Sequence, residues 1–440
     1  MRTRGPVHAS PATTRRQQRE RAVSDAVQGP QASARLALTL RLISLAAFCS
    51  MASMRICDPM LIELGQEFGV STGDASQVIS SFAIAYGLMQ LIYGPLGDRV
   101  GKLRVIVAAS FGCALFSATT SLATGFDLLV LSRVAMGAAA AGIVPLTIAW
   151  IGDQVPYAQR QETLARLMGA TLTGMMVGQW FGGFAAEHMG WRSAFMVLAG
   201  LFLLVAVVLF RNFSTLAGAA PVTHGGASAA PPMSLPAHAR NTLRLLRQPR
   251  VRWVLVVTAL EGALAFGALA FVPSRLIASF GFTMAGAGGV MVLYGVGGLL
   301  YSQLAGRWLA LLGEKGLARV GGLLICVGLL MIAVSTHPWL AMLACLLAGM
   351  GFYMLHNTLQ TQATQMAPES RGTAVSLFAC VLFLGQGPVA GARAVLAMAW
   401  FLPTKAMAAG LGDRRGRCRS GWRFWRWAPA WMLSALQRSL

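Results

Sequence analysis

Apolar runs fill most of the chain and are parted by brief polar turns. Runs of about 20 mainly apolar residues, the length of one membrane-spanning helix, start near Leu36, Ala75, Val105, Asp127, Leu164 and Ser193. Residues 213–250 interrupt the pattern with Pro, Gly, Ala, Ser and Arg. Further runs then start near Val251, Met284, Arg319, Pro338 and Gly372. The pattern predicts an all-α polytopic membrane protein of two six-helix bundles. Its expected parts are a disordered basic tail (1–35), a first bundle (36–212), a cytoplasmic linker (213–250), a second bundle (251–411) and a basic, aromatic tail (412–440).

The last of twelve expected spans is degenerate. After residue 390 the stretch ARAVLAMAWFLPTKAMAAGLG is broken by Pro403 and Lys405. An Arg-rich segment follows that holds Trp422, Trp425, Trp427 and Trp431. Two readings stay open: a basic aromatic segment lying on the inner membrane surface, or a frameshift near residue 387 that leaves a tail in the wrong frame.

Composition sharpens the class. The 440 residues are 56% hydrophobic and 12% charged, where soluble domains carry about 25% charged residues. The net charge of +21 sits in the termini and in short turns, which argues against a nucleic-acid partner. With the N-terminus inside, Arg99, Lys102, Arg104, Arg160, Arg166, Arg240, Arg244, Arg247, Arg307, Lys315 and Arg371 fall on one side. The other side holds little beyond Arg192 and Arg275, and carries Glu63, Glu67, Asp74 and Asp127. That asymmetry places the N-terminus and the linker in the cytoplasm. Seven scattered cysteines form no C-x-x-C pair, so neither a disulfide framework nor a metal site is expected. The first 35 residues lack the short apolar core of a cleavable signal.

The turn YGPLGDRVGKLRV, between the second and third runs, is short and densely charged. Gly94 and Gly101 permit tight backbone geometry there. Gly94, Leu96, Asp98, Arg99, Gly101 and Lys102 resemble the signature loop G-x-L-x-D-R-x-G-R/K of the major facilitator superfamily. The fourth run, LSRVAMGAAAAG, places Arg133 four residues before Gly137, similar to that family's second motif. GMMVGQWFGG in the fifth run resembles its antiporter motif through Gly174, Gly178, Gly182 and Gly183, with Gln179 where the motif has proline. The stretch SQLAGRWLALLGEKG resembles a decayed second copy of the loop, keeping Leu304, Arg307, Gly313 and Lys315 with Gly306 in the aspartate's place. The resemblance covers residues 36 to about 386. It implies the major facilitator fold, alternating access, and a loop at 94–102 that holds one access state closed.

Ionisable groups inside apolar runs cost about 2.5–3.5 kcal/mol each to insert, so four are candidates for proton coupling: Arg55, Asp58, Arg133 and Glu261. Arg55 and Asp58, three apart, share a face, and Pro59 loosens the backbone after them. Asp58 or Glu261 is the expected titrating group. Plainer readings make Asp58 an interfacial cap with Arg55 as its surface partner, and Arg133 a bridge between helices. His356 reads as a polar helix end. No nucleophile–base cluster, nucleotide loop or metal spacing appears, so no enzyme activity and no cofactor are expected. The function expected is proton-coupled export of small organic molecules across a bacterial inner membrane, by a monomer in the lipid bilayer. Uptake symport of a metabolite and a non-transporting remnant are the alternatives.

Overall fold

The computed structural model describes residues 30–212, 235–367 and 371–390. The basic tail up to residue 29, residues 213–234 of the linker, the broken twelfth run and the tail at 412–440 lie outside the described residues. Every regular element described is helical. Eight segments among them are long and apolar enough to cross a membrane.

The first pass runs through α1 (Pro30–Arg55), a 3-10 turn (Asp58–Met60) and α2 (Leu61–Phe68). The second joins α3 (Thr72–Ala75) to α4 (Gln77–Val100). Then come α5 (Lys102–Ser121), the broken pass α6 (Phe126–Ala140) and α7 (Ile143–Gln154), α8 (Tyr157–Met189) and α9 (Trp191–Arg211). Within the expected linker, α10 (Leu235–Leu246) is helical. The next pass consists of α11 (Pro249–Glu261), a π-helical turn (Gly262–Gly267) and α12 (Val272–Phe280). It is followed by α13 (Met284–Val334), α14 (Pro338–Gln365) and α15 (Arg371–Ala390).

The predicted runs at Met284 and Arg319 are the two arms of α13. They meet at Gly313, whose φ of 65° breaks the helical path. At +65° only glycine avoids a Cβ clash, so this residue of the decayed loop makes the turn.

Small residues set the packing, as expected where helices associate by close contact. Gly174, Gly178 and Gly182 of α8 stand one turn apart. A methyl group on each would overlap the carbonyl oxygens of Phe48 and Ala52, one turn apart on α1, and of Ile56 just past its end. The glycine motif is therefore a seam between the first and fifth passes. Gly183, on the neighbouring face, abuts Met284 O at the start of α13. The apolar core falls into a large cluster built mainly from α1–α9 and smaller ones built from α10–α15.

Candidate functional site

Short turns make consecutive passes antiparallel, so the Asp98 turn, the start of α8 and the start of α11 share one end of the molecule. The 3-10 turn, the end of α8 and the start of α13 share the opposite end. One charged centre lies at the 3-10 turn, a second around Glu261 and a third at the Asp98 turn.

The first centre forms where α1 stops. Arg55 is its last residue, and Pro59 initiates the 3-10 turn in which Asp58 sits. Arg55 Nη1 lies 3.3 Å from Asp58 Oδ2, with both side chains fully buried. Gln179 Nε2, from α8, donates to the same oxygen at 2.9 Å. Arg55 also reaches into the other bundle: its guanidinium lies 4.5 Å above the Phe266 ring, and Nη1 lies 3.5 Å from Phe266 O. Phe266 belongs to the π turn, and its carbonyl also accepts from Ala270 N at 3.3 Å; such turns recur at functional sites. Arg55 Nε and Nη2 and Asp58 Oδ1 are buried without a hydrogen-bond partner among the described residues. Buried polar groups are normally satisfied, so these three atoms are suited to water or a polar cargo.

This arrangement differs from an interfacial cap with a surface partner, since neither Arg55 nor Asp58 is exposed. The missing proline is explained locally. Gln179 follows Gly178 on the glycine seam and uses that closeness to reach Asp58.

Glu261 holds the second centre. It ends α11 directly before the π turn and is buried. Its Oε1 lies 3.2 Å from His356 Nδ1 on α14. His356 thus departs from the polar helix end expected of it: it stands well inside α14, and its ring stacks on Phe352 at 5.0 Å. Glu261 Oε2 and the Tyr294 hydroxyl are buried without partners among the described residues, as are both amide atoms of Gln386. Aromatic rings join the two centres, with centroids 4.7 Å apart for Tyr86–Phe383, 6.3 Å for Phe383–Phe266 and 4.9 Å for Phe266–Phe352.

Arg133 is placed apart from both. It is fully buried, its Nε donates to Val78 O at 3.2 Å, and its guanidinium lies 4.3 Å over Phe82. That geometry ties α6 to α4, while leaving Arg133 within the electrostatic reach of Asp58. Gly137, one turn on, abuts Phe82 O.

At the other end, Gly101 (φ 100°) makes the turn from α4 to α5. Lys102 Nζ lies 3.3 Å from Asp98 Oδ1 and 2.6 Å from Asp153 Oδ2, at the end of α7. Arg99 is exposed, and a Cβ at Gly94 would meet nothing. Asp153 was missed by sequence reasoning, although an acid ending the fourth run opposite a basic turn was a usable signal. Phe266 carried no comparable signal, and nothing in the sequence paired Gln179 with Asp58 or His356 with Glu261. Among the described residues, no group of three or more His, Cys, Asp or Glu side chains could hold a metal ion.

Comparison with known proteins agrees with this architecture. The family model described as Major Facilitator Superfamily matches residues 43–417, well past residue 386. The MFS-type transporter YceJ of Bacillus subtilis is 26% identical over 75% of this chain and 82% of its own length. A protein named probable sugar efflux transporter, from Helicobacter acinonychis, is 23% identical over 81% of this chain and 93% of its own. Among solved structures, a bacterial homologue of the human lysosomal transporter Spinster superposes with a TM-score of 0.63 at 21% identity, covering 86% of this chain and 85% of that one. The chain belongs to the major facilitator superfamily, and is a multi-pass membrane transporter of small molecules rather than an enzyme.

Proposed function

We propose that this transporter exports small polar organic molecules from the cytoplasm in exchange for protons, by alternating access. It stands in a bacterial inner membrane as a monomer, with the N-terminus and the 213–250 linker cytoplasmic and the bundles at 36–212 and 251–411 rocking about the site. One observation carries the reading. The buried Asp58 is held by Arg55 and Gln179, while Arg55 simultaneously contacts Phe266 of the other bundle. Protonating Asp58 removes the charge that anchors Arg55 and so loosens the contact between bundles. Glu261 with His356 supplies a second protonatable couple facing the same aromatic rings. Asp98, Lys102 and Asp153 form the latch at the cytoplasmic end.

Export is supported by the glycine seam of α8, which resembles the antiporter motif, and by the sugar-efflux name of one relative. The unpartnered polar atoms beside aromatic faces suit a polyhydroxylated cargo of that kind. Gln179 in the proline position favours a second reading, uptake by symport. Inverted vesicles energised to an acid interior test both. Export predicts accumulation of a radiolabelled sugar from a panel, with collapse of the pH gradient; symport predicts its exit. Full accumulation by the double variant Asp58→Asn with Glu261→Gln would overturn proton coupling at these residues.

A further inference from the structure

The basic face of α10 has no role in the transport chemistry. Residues 235–260 contain no Asp or Glu but hold Arg240, Arg244, Arg247, Arg250 and Arg252. All five are exposed, and none forms an ion pair among the described residues.

Their arrangement is more specific than their sign. At 3.6 residues per turn, Arg240 and Arg244 form one stripe, and Arg247 follows in the turn directly after Leu246. Leu243 and Leu246, 61% and 37% exposed, form a second stripe beside it. The third side faces protein: Leu245 is buried with Leu359, Ala363 and Phe378, and Asn241 Nδ2 donates to Thr373 Oγ1 at 3.3 Å. Arg250 and Arg252 lie in the first turn of α11, where the helix dipole disfavours cations. Trp253 beside them is 70% exposed, as suits an indole at a headgroup layer. A bias for orientation during insertion explains basic residues on this side, but it requires neither the adjoining leucine stripe nor cations at a helix start.

We propose that α10 and the first turn of α11 form a binding surface for anionic phospholipid headgroups. The exposed leucines enter the acyl boundary, and the arginine forks hold the phosphates bidentately. Juxtamembrane clusters of this size are those that recognise anionic lipid. Because α10 is bonded to α15 through Asn241 and Thr373, headgroup binding also fixes the cytoplasmic end of that pass.

The test uses the purified full chain in detergent, with phosphatidylglycerol or phosphatidylcholine added, followed by thermal shift and native mass spectrometry. Wild type is expected to take phosphatidylglycerol at least tenfold more tightly. In the variant Arg240→Gln, Arg244→Gln, Arg247→Gln, Arg250→Gln that preference falls to near unity, while stability in phosphatidylcholine is unchanged. Arginine-to-lysine replacement at the same positions keeps most of it. The single variants Arg240→Gln and Arg244→Gln give the same result at smaller amplitude if the quadruple variant fails to fold. Equal affinity for the two lipids, an unchanged preference in the glutamine variants, or an equal shift from inorganic phosphate alone would each overturn the proposal.

Discussion

At the scale of single residues, the coupling role proposed for the Asp58 centre can be separated from its part in stability. Removing one member of a buried ion pair leaves an uncompensated charge and costs on the order of 3 kcal/mol. Asp58→Asn strands Arg55, so it should both abolish pH-gradient-driven transport and lower the melting temperature in detergent. Adding Arg55→Gln removes the stranded charge. The double variant should recover most of the melting temperature and none of the transport, and parallel recovery of both would assign the pair a purely structural role. Arg55, Asp58 and Glu261 were legible from sequence because a charge inside an apolar run stands out against insertion cost. Their partners were not. Gln179 lies 121 positions from Asp58 and His356 lies 95 from Glu261; Gln179 stood out only as a departure from proline, and nothing in either helix pointed to its partner. Arg133 stood out for the same reason as Asp58, yet what it touches is a backbone carbonyl and an aromatic face.

At the scale of elements, runs, turns and the glycine seam follow from composition, since hydrocarbon demands helices and close approach demands small side chains. Gly178→Val should force α8 off the Ala52 carbonyl and destabilise the fold by about 1–3 kcal/mol, the cost of overpacking. Gly152→Ala, which meets open space, serves as the control, and thermal shift reads both. The π turn after Glu261 left no trace in the sequence, because one extra residue per turn changes neither hydropathy nor length. It can be removed by deletion. Loss of Leu264, half exposed on the outer face of the turn, converts the turn to α geometry and keeps the register of α12. The protein should still fold, as the buried flanks Gly262 and Phe266 remain. Phe266 O then no longer faces Arg55, so transport should fall at least tenfold while expression persists. Unimpaired transport would show the turn to be incidental.

At the scale of the molecule, the structure is caught with one end shut. Opposite the Asp98 turn, the contacts that join the bundles include four close ones. Arg55 lies on Phe266, Gly183 on Met284 O and Gly288 on Gln179 O, and Glu187 Oε2 accepts from Ala285 N at 2.9 Å. No sequence could have shown this, since every access state shares the same residues and differs only in which contacts are made. Backbones approach closely at these contacts, so an ordinary side chain forced into one of them should shift the balance between states. Gly183→Val places a branched side chain against the Met284 carbonyl and should wedge the bundles apart there. Cys57, fully buried beside Asp58, reports the opening. With Cys326 and Cys418 replaced by Ser, a membrane-impermeant maleimide should label Cys57 slowly in wild type and several-fold faster in Gly183→Val. Glu187→Ala, which removes the hydrogen bonds to Ala285 N and to the Thr283 side chain without adding bulk, should give a smaller increase in the same direction. If both variants label at the wild-type rate while remaining folded, the contact between α8 and α13 is static packing, and opening must occur elsewhere along the two bundles.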